Sequence, residues 1–138
     1  MNLIETIYCS QYYEMKKSGR DPQKGRLNGT LLSSVIIILV LVGIGLAANK
    51  FASNHLVGGL TRMGFSGKFI GRVIGLLLLL AVGGALSFTF GSQANYNKLV
   101  LKWEQLPVEV LEQTVKKALK IFGVTFGIFL VVVVILVV

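Results

Sequence analysis

Apolar side chains along this chain are gathered into three blocks separated by basic, polar stretches. Leu31–Ala48, Val73–Phe90 and Ile121–Val138 each run about 18 residues without a charged side chain. An α-helix rises about 1.5 Å per residue, so each block reaches about 27 Å, close to the hydrocarbon thickness of a bilayer. Strands fit poorly, because a membrane strand takes about 9–11 residues and alternates in polarity. The pattern predicts an all-α, polytopic integral membrane protein. Its three transmembrane helices fall at about 30–48, 73–91 and 119–138, with one or two interfacial amphipathic helices beside them.

The intervening segments carry weaker periodicities. Leu3, Ile4, Ile7, Tyr8, Tyr12 and Met15 recur at three- and four-residue spacing, which predicts an amphipathic helix over 1–18. Glu5, Gln11, Glu14 and Lys16 take much of its opposite face. Such a helix lies in the headgroup plane or against a partner. Ser18-Gly19 ends it, and Asp21-Pro22 reads as a new start, with Asp as N-cap and Pro at the first helical position. Gly25 and Gly29 weaken the first turns of that second helix. The first connection, 49–72, is rich in glycine, and 51–65 reads as a loop or broken helix. The second, 92–118, places Tyr96, Leu99, Val100 and Trp103 on one stripe of a short amphipathic helix. Leu106-Pro107 breaks it. From Pro107 the helix is expected to continue to the end of the chain, with Glu112 pairing with Lys116 at i,i+4.

Composition then narrows the reading. The segments outside the blocks are too short for a soluble core. A domain below about 40 residues usually needs disulfides or metal, and one cysteine and one histidine among 138 residues supply neither. The whole is therefore a single membrane domain, 1–138. The first block begins at Leu31 and is longer than the apolar core of a secretion signal, so it is expected to stay as a span. The net charge of +8 would suggest nucleic acid in a soluble protein. Here the cations sit near helix ends, where anionic lipid headgroups attract each by about 1 kcal/mol. Membrane lipids are thus the expected partners, and nucleic acid is not.

Charge also orients the chain. Lys16, Lys17, Arg20, Lys24 and Arg26 precede the first span, and Lys98, Lys102, Lys116, Lys117 and Lys120 lie between the second and third. Only Lys50, Arg62, Lys68 and Arg72 occupy the other side. The excess of basic residues marks the cytoplasmic side. The expectation is a bacterial inner (plasma) membrane location, with the N-terminus cytoplasmic and the C-terminus external.

Chemistry is sparse. There is no His/Cys/Asp/Glu grouping with metal-ligand spacing, no hydrolase triad and no phosphate-binding loop. No catalytic residue, metal ligand or cofactor is expected. His55 reads as a solvated or headgroup-level residue, and Cys9 as a free thiol suited to a reducing compartment. No ionisable residue lies inside a block, where a coupled transporter usually places one. The hydroxyls Ser33, Ser34, Ser87, Thr89 and Thr125 can each bond back to their own helix.

The positive signal is small residues at four-residue spacing. Gly67, Gly71 and Gly75 form a double GxxxG, Gly123 and Gly127 another, and Gly43 with Ala47 a weaker one. In lipid, helices associate through the close backbone approach that such residues allow. These glycines are expected to serve packing, either within the chain's own bundle or against a partner. Arg62, Lys68, Arg72, Lys116, Lys117 and Lys120 are candidate headgroup contacts, and Tyr96 and Trp103 candidate interface anchors. Together these features suggest a non-enzymatic accessory or scaffold subunit, bound to other membrane subunits or to copies of itself. The alternative is a homo-oligomeric channel or a small-solute or lipid transporter.

Overall fold

Residues 1–51 and 67–137 are described by the computed structural model, and every regular element among them is an α-helix. The first, α1 (Leu3–Lys17), starts where Asn2 caps it by accepting the Glu5 N–H. It stops at Gly19, whose φ of 67° is the left-handed conformation that glycine adopts without strain. There the Gly19 N–H donates to Lys16 O and the Arg20 N–H to Met15 O, a Schellman closure.

The second helix, α2 (Lys24–Phe51), begins two residues later than the proline suggested. Asp21 accepts the Gln23 N–H on its carboxylate, and its carbonyl accepts the Lys24 N–H. The intervening residues are thus spent on a tight turn rather than on helix. After the undescribed segment come α3 (Gly67–Phe88), α4 (Gln93–Glu104) and α5 (Val108–Val137). Ser92 caps α4 by accepting the Asn95 N–H. Pro107 separates α4 from α5, and α5 then runs 30 residues without interruption. The expected loop or broken helix at 51–65 lies outside the described residues except for Phe51, the last residue of α2; His55 and Arg62 lie outside them too.

Three of these helices, α2, α3 and α5, are long and apolar enough to cross a membrane. The protein is an all-α, polytopic membrane protein. α2 packs against both α3 and α5, so it is the middle of the three. The ends of α2 and α5 nearer the N-terminus, and the last turn of α3, share one end of the bundle with α1 and α4. There α1 packs against both α2 and α5.

The buried core lies at that end and not along the spans. Tyr8, Cys9, Tyr12, Tyr96, Trp103 and Leu111 form it, with Ile4, Phe90 and Leu106 packed around them. By contrast, the most apolar window of α2 is 17% buried, that of α3 6%, and that of α5 not at all. The molecule has two tiers: a tightly packed head and three loosely associated membrane helices.

Candidate functional site

The head is built on glycine contacts that bring α1 onto α2. A Cβ on Gly29 would lie 2.7 Å from Tyr8 Cδ1, and one on Gly25 2.8 Å from Tyr96 Oη and 3.0 Å from the Tyr12 backbone. Real Cβ atoms do not approach so closely, so the ring of Tyr8 and the backbone of α1 occupy space that only glycine leaves. Gly25 and Gly29 are therefore the GxxxG pair that works inside the chain. Gly91 repeats the device in the turn between α3 and α4, where a Cβ would meet Thr30 Oγ1 at 2.9 Å.

Polar groups lock these contacts. Thr30 donates its hydroxyl to Arg26 O, so the Tyr8 hydroxyl donates to Thr30 Oγ1 at 2.6 Å. Tyr96 donates to Pro22 O at 2.9 Å and Tyr12 to Glu104 at 3.2 Å. Glu5, expected on the polar outer face of α1, is instead buried and ion-paired with Lys102 of α4 at 2.9 Å. Burial alone would raise its pKa. The Lys102 hydrogen bond and charge outweigh that, and the carboxyl titrates below its usual range. The indole Nε1 of Trp103 lies beside this carboxylate and helps lower it, without reaching hydrogen-bond geometry. Cys9, wholly inaccessible, has its thiol pushed up to about 12 by burial and by Glu5, so it stays protonated and unreactive. Burial likewise raises the Tyr8, Tyr12 and Tyr96 phenols.

Two expectations are corrected here. Tyr96 and Trp103 do not anchor the protein at a lipid interface; both are fully buried, in edge-to-face contact at 5.9 Å. The stripe that carries them faces α1 because the head, and not the headgroup layer, buries it. Glu112 does not pair with Lys116. It reaches across to α1 instead, 3.6 Å from Lys17 and 3.4 Å from the Tyr13 hydroxyl.

The other singled-out residues make no tight contact among the described residues. There, Cβ atoms on Gly71, Gly75, Gly123 or Gly127 would meet nothing within 4 Å, and one on Gly43 would meet Phe129 at 3.8 Å. Gly67 opens α3. Lys68 and Arg72, and at the head Lys116, Lys117 and Lys120, are exposed. On the side away from the head, Lys50 donates to the carbonyls of Ile135 and Leu136 at 3.1 and 3.5 Å. It thereby satisfies acceptors that the end of α5 leaves open and complements the negative pole of its dipole.

The hydroxyls divide by position. Ser34 donates to Thr30 O, while buried Ser33 Oγ has no partner among the described residues. Thr89, just past the end of α3, donates to Ala85 O, and Thr125 faces an apolar groove of about 330 Å³ between α2 and α5. They do not line one continuous path.

Fold and site together define the class: a three-span membrane protein with a packed aromatic head. Comparison with protein-family models, curated proteins and solved structures finds no match.

Proposed function

We propose that this protein is a non-enzymatic accessory or scaffold subunit of a larger membrane complex. The observation that carries the reading is that a Cβ on Gly71 of α3, or on Gly123 or Gly127 of α5, would meet nothing within 4 Å among the described residues. A glycine costs a helix about 1 kcal/mol relative to alanine. Among the described residues that cost brings no close contact at these three positions, whereas Gly25 and Gly29 are repaid by α1. Small-residue faces on the outer two helices suit the close approach of another membrane helix. The head holds the chain's own helices together while those faces stay available. The basic residues at the head, Lys116, Lys117 and Lys120 among them, favour a cytoplasmic head and N-terminus and an external C-terminus, in a bacterial inner membrane.

Extraction in a mild detergent followed by mass analysis of the intact particle tests the reading. A stable companion, or a second copy, that dissociates in Gly71→Leu or Gly127→Leu supports it. A lone monomer, unchanged by both substitutions, overturns it.

A further inference from the structure

α2 and α3 touch closely near the head and open away from it. Opposite Gly83 stands Ser34 Oγ, 3.6 Å from where a Cβ would sit, whereas a Cβ on Gly75 would meet nothing within 4 Å among the described residues. Between the helices beyond that contact lies a groove of about 440 Å³, walled by Ile38 and Leu39 on α2 and by Gly75, Leu76 and Leu79 on α3, with Arg72 at its far end.

Three properties of this groove converge. Its wall is apolar except for one guanidinium. Its length fits within one leaflet: from Arg72 to Leu79, the groove's extent along α3, the helix rises about 10 Å, against about 15 Å for half the hydrocarbon thickness. Its charge is uncompensated. No Asp or Glu occurs between Asp21 and Glu104, and Arg72 makes no ion pair among the described residues. A cation at the edge of a span, at the mouth of an apolar channel, calls for an anion that carries its own hydrocarbon.

We propose that this groove binds an anionic phospholipid of the leaflet opposite the head. One acyl chain lies between α2 and α3, ending at the Gly83–Ser34 contact, and the phosphate rests against Arg72, with Lys68 one turn nearer the surface. A guanidinium matches a phosphate through two parallel N–H donors, which a point charge does not. The inference goes beyond the accessory-subunit reading and does not depend on it, since both walls belong to one chain.

The full chain, reconstituted in phosphatidylcholine with a minor share of phosphatidylglycerol and released into mild detergent, is examined by native mass spectrometry. Phosphatidylglycerol is expected to stay bound in preference to phosphatidylcholine. Arg72→Gln should lower that retention about fivefold, the equivalent of roughly 1 kcal/mol per headgroup contact. Lys120→Gln, at the head, should leave it unchanged. Gly75→Leu, which fills the groove while keeping Arg72, should abolish it. Equal retention of the two lipids, wild-type retention in Arg72→Gln, or persistence in Gly75→Leu would each overturn the proposal, as would a second copy of the chain filling the groove. Should Arg72→Gln fail to fold, Gly75→Leu decides alone, because its position is open.

Discussion

Gly29 and Gly127 belong to the same sequence motif and have opposite circumstances. The first sits under the ring of Tyr8, and a Cβ on the second would meet nothing within 4 Å among the described residues. The contrast extends to the two tiers that hold them. In the head, aromatic rings interlock and nearly every buried polar atom has a partner; in the membrane tier, helices meet along narrow lines and present leucine, isoleucine and valine outward. Water explains the difference. The head, bordering an aqueous phase, gains from removing apolar surface from water. The spans, surrounded by hydrocarbon, gain little by packing apolar side chains on one another.

The largest effect should come from removing the centre of the head. Trp103→Ala is expected to destabilise the protein by about 3–5 kcal/mol, measured by thermal unfolding in detergent, while the three spans still insert. An equal loss from Phe126→Ala, on an exposed face of α5, would erase the distinction between tiers. Next comes the glycine pair itself: Gly29→Ala should cost about 1–3 kcal/mol through overpacking against Tyr8, and Gly127→Ala in the isolated chain should be neutral or slightly stabilising. Glu5→Gln should cost about 1 kcal/mol. Because the folded-state pKa of Glu5 is lowered, its contribution is full above the unfolded carboxylate pKa and is lost as pH falls through the lower folded value. The wild type should therefore lose stability on acidification more steeply than the Gln variant. Last, Cys9 should resist maleimide at neutral pH and react once Trp103→Ala loosens the head, which makes thiol labelling a direct readout of that tier alone.

The sequence displayed the spans openly, since charge-free runs of that length have few other uses. The end of α1 at Ser18-Gly19, the amphipathic α4 and the unbroken α5 were legible for similar reasons. Gly25 and Gly29 were visible as a four-residue spacing too, continued by Ser33 on the same face. They read as helix-weakening because their partner, the Tyr8 ring, belongs to another element. The burial of Glu5 was hidden for a related reason: periodicity assigns a face from neighbours in the chain, and Lys102 lies far along it. Tyr96 and Trp103 show the limit most plainly. An aromatic residue beside a span fits a lipid interface and a protein core equally well, and only the position of α1 distinguishes them.

The ion pair between Glu5 and Lys102 joins residues 97 apart, and the Tyr12–Glu104 bond residues 92 apart. At roughly 5–20 residues per second of synthesis, α1 exists for several seconds before α4 is made. During that interval it has only α2 to lean on, and much of its aromatic side lacks the cover that Trp103 and Leu111 later provide. The head is therefore a late event in the life of the chain. It closes only after the second span is in place and the third has begun to emerge, so its formation reports that insertion is nearly complete.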